Sequence, residues 1–309
     1  MARILGVGIA TLDIINTVSA YPSEDAEVRA VSQRLARGGN ATNTLVVLSQ
    51  LGHDCHWAGT LAREPDAEHV LQDLARFNID TSHCWQLDHG KVQTSYVSLS
   101  QQNGSRTIVH YRDLPEYDFA HFRLIDLRRY HWLHFEGRNV EETQAMLAHA
   151  KVVAPEVTRS LEVEKPRPNI ETLFGKANIL LFSRAYARAK GYDEPEPFLR
   201  KMALLAPDAT LVSAWGDQGA YALHQGEFIA SPAQPPAKIL DTMRGWRHVQ
   251  RRHHQRAPSR MRLADGAGSG ESACREEDRA GRFCGSGLVD QYSIMVTRHW
   301  RGRLSISHR

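Results

Sequence analysis

The stretch "GGNATNTLVVLSQLG", residues 38–52, anchors the interpretation of the fold because it contains a complete helix signature. It begins with Gly-Gly-Asn, carries apolar side chains at helical spacing, among them Leu45, Leu48 and Leu51, and closes with Gly52. A polar residue before the first apolar position and a glycine after the last are start and stop signals of a helix. We therefore predict one helix here with a defined beginning and end.

Strand and helix signals alternate on both sides of this helix. Residues 3–10, "RILGVGIA", form an apolar run with β-branched members, which we predict to be the first, central strand, ended by the polar Asp13. The alternation continues over about 200 residues, which is typical of an α/β protein with a doubly wound, mostly parallel sheet flanked by helices. Short polar strands within residues 14–35 and 92–112 are predicted to form a small β-sheet lid on it.

Composition excludes several classes of protein. Of the 309 residues, 42% are hydrophobic and 24% are charged, which is typical of a globular protein with a real core. The apolar runs are too short to span a bilayer, and the N-terminal residues do not resemble a signal peptide, so we expect a cytoplasmic protein. The cysteines form no CxxC pair, which suits a reducing compartment and packing roles. They are Cys55, Cys84, Cys274 and Cys284.

The net charge of +3 conceals two unlike parts of the chain. Residues 1–242 carry 24 Lys and Arg against 29 acidic residues, whereas residues 243–309 carry 14 Arg, no Lys and 6 acidic residues. After Thr242 the alternation of strand and helix signals also stops. We therefore assign residues 1–242 to a folded domain, and we expect residues 243–309 to be an aberrant, disordered tail.

Asp13 is the first candidate site residue. In open α/β sheets, ligands bind in the crevice beyond the carboxyl ends of the strands. A carboxylate at the end of the first strand can accept hydrogen bonds from a polyol there. A solvated turn aspartate is the alternative interpretation.

The second candidate is "RGGNATN", residues 37–43. Gly38 and Gly39 allow a ligand to approach the backbone closely, and Asn40 and Asn43 present amides at a helix N-terminus. An amide both donates and accepts hydrogen bonds, as recognition of a sugar hydroxyl requires. A plain helix cap is the alternative.

The third candidate is "SAWGDQGAY", residues 213–221, a predicted strand followed by a turn with Gly216 and Gly219. Such a loop can hold a nucleotide. Two glycines are also common in an ordinary hairpin turn, which is the alternative.

The order of these and other stretches resembles the ribokinase-like (PfkB) sugar kinases. "RGGNATN", "NGSRTI", "HFEGRN", "EVEKPR" and "ILDT" follow one another as in that family, and the resemblance covers residues 3–242. Within the family, "YPSEDAEVR" and "EVEKPR" are most similar to the ketohexokinases. The resemblance implies a ribokinase-like fold and transfer of the γ-phosphoryl of ATP, with Mg²⁺, to a sugar hydroxyl, with fructose at C1 as the expected acceptor. Ribokinase or aminosugar kinase activity is the alternative.

The resemblance also implies roles for individual residues. The sugar would be held by Asp13, Gly39, Asn40 and Asn43, together with Asp25 of the lid, which would reach the site of the partner subunit in a homodimer. Nucleotide phosphates would be neutralised by Arg106. Glu136 would lie near the phosphates or Mg²⁺, with a structural carboxylate paired with Arg138 as the alternative. The residues flanking the nucleotide would be Ser213, Trp215, Gly216 and Gly219. No membrane or nucleic-acid partner is expected.

The family motif breaks off after Thr242. In the family, "DT" is followed by G-A-G-D, whose backbone amides bind the transferring phosphoryl group and whose aspartate deprotonates the acceptor hydroxyl. Here Asp241 and Thr242 are followed by "MRGWR", so Arg247 occupies the position of the base. A guanidinium cannot accept a proton. We therefore expect a chain that lacks its catalytic base and C-terminal helices and is impaired in activity.

A shift of the reading frame would explain this break. Moving the frame forward by one base permits codons under which residues 243–252, "MRGWRHVQRR", become "CGAGDTFNAG". In the same frame, residues 275–283, "REEDRAGRF", can become "GKKTGQAGF", which is similar to a later ketohexokinase helix. We hypothesise a frameshift near codons 242–243, natural or from sequencing. The alternatives are a sugar-binding pseudokinase and a basic tail that binds nucleic acid.

Overall fold

The computed structural model of the protein describes residues 1–233, in which mostly buried strands form the main sheet. The strands in chain order are β1 (Arg3–Val7), β2 (Thr11–Val18), β3 (Ser32–Gly38), β4 (Asp54–Ala58), β5 (Thr60–Ala62), β6 (Trp85–Leu87), β7 (Thr94–Ser100), β8 (Arg106–Tyr111), β9 (Trp132–Glu136), β10 (Thr158–Val163), β11 (Ile179–Ser183), β12 (Thr210–Ala214), β13 (Ala220–His224) and β14 (Glu227–Ser231). The main sheet has the order β14-β13-β12-β11-β10-β9-β1-β4. Strands β4, β1 and β9 to β12 are parallel, β13 is antiparallel to β12, and β14 is antiparallel to β13.

Helices connect the parallel strands and lie on both faces of the main sheet. They are α1 (Asn40–Gln50), α2 (Pro65–Arg76), α3 (Phe119–Phe122), α4 (Val140–Val153), α5 (Arg184–Ala189) and α6 (Pro195–Ala203), with 3-10 helices at Leu127–Arg129, Ile170–Lys176 and Gly216–Gln218. Helix α2 shows why such segments become helical: proline lies in its first turn, Asp66 and Glu68 face the positive end of the helix dipole, and Arg76 lies near the negative end. Within residues 1–233, no helix is long and apolar enough to cross a membrane.

Two apolar cores lie on opposite faces of the main sheet because neighbouring strand residues point in opposite directions. Leu5 belongs to one core, together with residues of α4 and α6. Ile4, its neighbour in β1, belongs to the other core, together with residues of α1 and α2. Strand β11, "ILLFS", is buried at every position, as expected of a central parallel strand covered on both faces. The prediction of a doubly wound, mostly parallel sheet is therefore confirmed.

A separate four-stranded sheet, here called the lid, has the order β3-β2-β7-β8. Strand β2 runs antiparallel to β3 and parallel to β7, and β7 runs antiparallel to β8. The small second sheet is confirmed. Its first pair of strands begins earlier and ends later than the predicted residues 14–35.

Two predicted details near the N-terminus are wrong. The first strand ends at Val7 and does not continue to residue 10, because Gly8 and Ile9 turn the chain toward the lid. Asp13 therefore does not end the first strand of the main sheet; it lies inside β2, paired with Ala36 and Ser95 on the neighbouring lid strands.

Candidate functional site

The carboxyl ends of β1, β9 and β10 meet at one edge of the main sheet. Glu136, the last residue of β9, is in register with Glu162 of β10, and β1 ends beside them at Val7. Open parallel sheets bind ligands at this edge. The first residues of α1 approach the same edge, because Asn40 hydrogen-bonds to both glutamates.

Glu136 joins three segments of the chain at this edge. One carboxylate oxygen, Oε2, accepts a hydrogen bond from the backbone amide of Ile9 at 2.5 Å, and Oε1 accepts one from the amide of Asn40 at 3.2 Å. A Cβ atom at Gly8 would overlap the carboxylate, so only glycine lets the chain pass this closely. Burial is the main cause that raises the pKa of Glu136 to about 7. The Arg138 Nε atom donates to Glu116 at 3.1 Å, and the charge of Arg138 acts on Glu136 by lowering its pKa against the effect of burial.

The side chain of Asn40 is held by two further carboxyl groups. Its Nδ2 atom donates to Oε1 of Glu162 at 2.9 Å and to Oε2 of Glu164 at 3.2 Å. Asn40 does not cap its own helix; Gly39, with φ of 105°, occupies the N-cap position of α1 and makes no side-chain cap bond. The helix-cap alternative therefore fails for the Asn40 side chain, which is directed across the site toward β10.

Behind Glu162, a buried row of polar groups runs along β9 and β10. The hydroxyl of Ser160 accepts a hydrogen bond from the Trp132 indole at 2.8 Å and lies 3.0 Å from Nδ1 of His134. The other ring nitrogen of His134 lies 3.9 Å from the Glu162 carboxyl. Burial lowers the pKa of His134 to about 4, so the imidazole is neutral at physiological pH. Burial, reinforced by Glu136 and Glu164, raises the pKa of Glu162 well above its ordinary value.

Basic side chains surround the open side of this cleft. Lys165 contacts Glu164 at 3.7 Å, and Arg138 is paired with Glu116. Burial is the main cause that lowers the pKa of Arg167. The cleft is lined by Asn40, Glu136, Gly137, Arg138, Glu162, Glu164, Lys165 and Arg167. Carboxyl and amide groups at the base with cations at the rim suit a polar ligand that carries negative charge on one side.

Asp13 lies on the lid beside the start of α1. Its carboxylate accepts a hydrogen bond from the Thr11 hydroxyl at 2.9 Å, and a side chain at Gly38 would overlap it. Asp13, Ser95 and His110 form one row across the lid, because they are register partners on neighbouring strands. Partners in register present their side chains on the same face of a sheet.

The predicted residue Asn43 is engaged within the protein. Its Oδ1 atom accepts a hydrogen bond from the Arg37 guanidinium at 3.0 Å. Arg37 is buried and also pairs with Asp73 of α2 at 2.8 Å. This network fixes the lid strand β3 to α1 and α2.

The predicted nucleotide residues lie farther along the same edge of the main sheet. Ser213 and Trp215 are fully buried, so neither side chain is exposed at this edge. Gly216, with φ of 66°, begins the 3-10 helix Gly216–Gln218 that follows β12, and Gly219, with φ of 101°, is its C-cap. Strand β12 is three strands from β9, which corresponds to about 14 Å.

The structure brings together some of the predicted residues and separates others. Asn40 and Glu136 meet, and Gly39 and Asp13 lie beside them. Arg106 lies on the lid strand β8, and Asp25, with φ of 63°, lies in the exposed connection between β2 and β3. Asp241, Thr242 and Arg247 lie outside the described residues, as does the predicted tail.

Sequence reasoning missed Glu162 and Glu164 as site residues. A signal was available in "EVEKPR", residues 162–167, at the end of a predicted strand. Side chains two positions apart on an extended segment point the same way, so two glutamates at this spacing reach the same region. The burial of Glu162 could not be inferred from this pattern.

Carbohydrate kinases are among the known proteins to which this chain is similar in sequence and fold. The chain is 38% identical to the ketohexokinase of Mus musculus over 250 residues, which cover 78% of this chain and 84% of the mouse protein. Its fold is similar to that of an Arabidopsis thaliana ribokinase complexed with ribose and ATP, with a TM-score of 0.63, 17% identity, and coverage of 79% of this chain and 81% of the other. A Cryptococcus neoformans ribokinase in complex with ADP has a TM-score of 0.61 at 14% identity, with coverage of 79% and 83%.

The family assignment follows from the sequence match together with the fold. The model of the pfkB family of carbohydrate kinases matches residues 1–243, which is most of the chain. This chain therefore belongs to the pfkB family of carbohydrate kinases.

Proposed function

We propose that the chain is built to bind a ketohexose, fructose in the first place, together with ATP, in the manner of a ketohexokinase. The observation that carries this proposal is the meeting of Asn40, Glu136 and Glu162 at the carboxyl edge of the main sheet, with Asp13 of the lid beside Gly38 before the start of α1. Carboxylates and amides oriented by the fold are the groups that recognise sugar hydroxyls. The 38% identity to a ketohexokinase supports the choice of sugar.

The proposed division of labour places the sugar and the nucleotide at two parts of the same edge. Asp13, Gly39, Asn40 and Asn43 would hold the sugar near β1 and β9. The turn containing Gly216 and Gly219 would receive the nucleotide through its backbone, while Arg106 would neutralise phosphate charge from the lid. Glu136 would act near the phosphates indirectly, because its carboxyl group accepts hydrogen bonds from the backbone amides of Ile9 and Asn40 and so fixes those two segments of the chain. Phosphoryl transfer depends chiefly on such positioning and charge neutralisation.

Magnesium would enter with the nucleotide. Among residues 1–233, no group of three or more His, Cys, Asp or Glu side chains is arranged to hold a metal ion. Mg²⁺ is commonly bound by substrate phosphates and one or two carboxylates, while it retains several waters. Glu136 and Glu164 line the cleft and could supply such a carboxylate, and the ion would supply positive charge that neutralises the phosphates.

We further propose that binding is retained while transfer is impaired. Arg247 stands at the position of the family's base and cannot remove a proton from the acceptor hydroxyl. A cation there also cannot replace a cradle of backbone amides around the transferring group. The chain would therefore behave as a cytoplasmic sugar-binding protein with little or no kinase activity.

The lid supports the proposed homodimer. Leu35, Tyr96 and Val109 are exposed by 47%, 43% and 65%, and together with Ile14 they form one row of register partners across all four lid strands. Exposed apolar rows of this kind commonly mark protein interfaces. Pairing of two lids would bring Asp25 of one subunit toward the sugar site of its partner.

Equilibrium dialysis with labelled fructose tests the proposal. We expect saturable binding of fructose. In Asp13→Ala the dissociation constant should rise about tenfold or more, because the loss of one hydrogen bond to a buried sugar hydroxyl costs about that factor in affinity. Asp88→Ala is the matched control, since Asp88 is a highly exposed residue on the main domain paired with Arg63. Tighter binding of ribose or an aminosugar would reassign the substrate, and absence of binding of any of these sugars would contradict the proposal.

A further inference from the structure

Asn40 lines the cleft, yet both hydrogens of its side-chain amide are used inside the protein. Nδ2 donates to Glu162 at 2.9 Å and to Glu164 at 3.2 Å. A primary amide has only two such hydrogens. Among the described residues, no group donates to the Oδ1 atom of Asn40, which is left as the hydrogen-bonding atom available to a ligand.

The Asn40 side-chain amide cannot be turned over, because its oxygen would then face a carboxyl oxygen of Glu164. Turning Asn40 over would place Oδ1 about 3.2 Å from a carboxylate oxygen of Glu164, where two acceptors repel each other. Glu164 is also paired with Lys165, whose Nζ atom lies 3.7 Å from Oε1, while Oε2 accepts from Asn40. The hydrogen-bond network therefore determines which end of Asn40 faces the cleft.

Glu162 is held in place from behind. It belongs to β10, is 3% exposed, and is in register with Glu136. Its Oε2 atom faces His134 at 3.9 Å, while Oε1 accepts the hydrogen bond from Asn40. A side chain packed on both sides in this way can fix the rotamer of the residue that it contacts.

We propose that Glu162, assisted by Glu164, is a positioning residue that turns Asn40 so that it offers only a carbonyl acceptor to the ligand. This rests on the proposed function, because the ligand is taken to be a sugar. Asn40 then selects a hydroxyl that can donate a hydrogen bond and disfavours a group that can only accept one. Glu162 acts through Asn40 and does not itself touch the sugar.

A double-mutant cycle on fructose affinity of the full chain tests this role. We expect Glu162→Met to weaken fructose binding about tenfold, and Glu162→Gln to retain most of the affinity because its amide oxygen can still accept from Asn40. In an Asn40→Ala background, Glu162→Met should have no further effect. Glu171→Gln is the control, since Glu171 accepts a hydrogen bond from Tyr186 away from the cleft. Equal losses for Glu162→Met with and without Asn40 would overturn the proposal.

Exchange of the Asn40 side-chain hydrogens, followed by NMR, provides a readout that needs no sugar. We expect slow exchange for both hydrogens in the wild type and in Glu162→Gln, and faster exchange in Glu164→Met, a change at the accessible rim that spares folding. Rapid exchange of both hydrogens in the wild type would overturn the proposal. If the wild type binds no sugar, the proposed function fails, while the exchange rates still decide whether Asn40 is held by the glutamates.

Discussion

Glu136 is buried by contacts within the protein fold. It is 6% exposed, accepts two backbone hydrogen bonds, and lies in register with Glu162. Burial raises its pKa to about 7. A carboxyl group with such a pKa changes its charge near physiological pH, and such groups concentrate at functional sites.

This pKa predicts how stability depends on pH. Because the pKa in the folded chain lies above the ordinary value of 4.5, protonation favours folding. The contribution, on the order of 3 kcal/mol, is fully present below about pH 4.5 and is lost as the pH rises through about 7. Glu136→Gln should therefore reduce the loss of unfolding free energy between about pH 5 and about pH 8, measured by urea denaturation. Some loss of unfolding free energy with rising pH should remain in Glu136→Gln, because the pKa of Glu162 is also raised.

A matched Glu→Gln substitution away from the carboxyl edge of the main sheet provides the control for that experiment. Glu171→Gln alters a carboxyl that accepts a hydrogen bond from Tyr186, and it should keep the wild-type slope in this pH range. An unchanged slope in Glu136→Gln would show that Glu136 is ionised throughout and that the account of its burial is wrong.

At the scale of elements, the start of α1 depends on one glycine. Gly39 has φ of 105°, and a Cβ atom there would overlap the backbone oxygen of Ile9. That oxygen belongs to the turn that Glu136 also holds through the amide of Ile9. The register between α1 and β1 is therefore set by close backbone contact.

Gly39→Ala should destabilise the protein by about 3 kcal/mol or more, because the strain of a positive φ and the overlap with Ile9 add together. Gly191→Ala separates the two causes: Gly191 has φ of 84°, and nothing lies within 4 Å of the added Cβ. We expect a loss of about 1 kcal/mol there, from strain alone. Equal unfolding free energies for the two variants by chemical denaturation would contradict the close approach.

Individual helices and strands can be predicted from the sequence, whereas the contacts between them are predicted less well. Helix α1 was recognisable because its periodicity and its glycines are local signals. The position of Asp13 at the end of the first strand is a wrong prediction, because the apolar run 3–10 hides a three-residue turn after Val7 and the lid strand β2 already begins at Thr11. The contact between Asn40 and Glu162 joins residues 122 positions apart, which only the order of strands in the sheet brings together.

At the scale of the whole molecule, the exposed apolar row of the lid leads us to expect that the chain forms a homodimer. The exposed row that includes Tyr96 and Val109 should pair with the same row of a second chain. Val109→Glu should shift a dimer to monomer in sedimentation velocity, because an unpaired charge would be buried in the interface. Val152→Glu, at an 80% exposed position on α4, is the control and should remain a dimer. A wild-type monomer at all concentrations would contradict the pairing of lids.

The most direct test of the whole account is a calorimetric titration of fructose into the 309-residue chain with Mg-ATP present. A single titration distinguishes binding, which gives saturable heat, from turnover, which gives heat for as long as substrate lasts. We predict saturable heat without sustained turnover, since the proposed sugar site contains Asn40 and Glu162 in hydrogen-bond contact, while Arg247 occupies the position expected for the base. Sustained heat accompanied by fructose phosphate would contradict the claim of a missing base, and absence of any heat would contradict the claim of a sugar site.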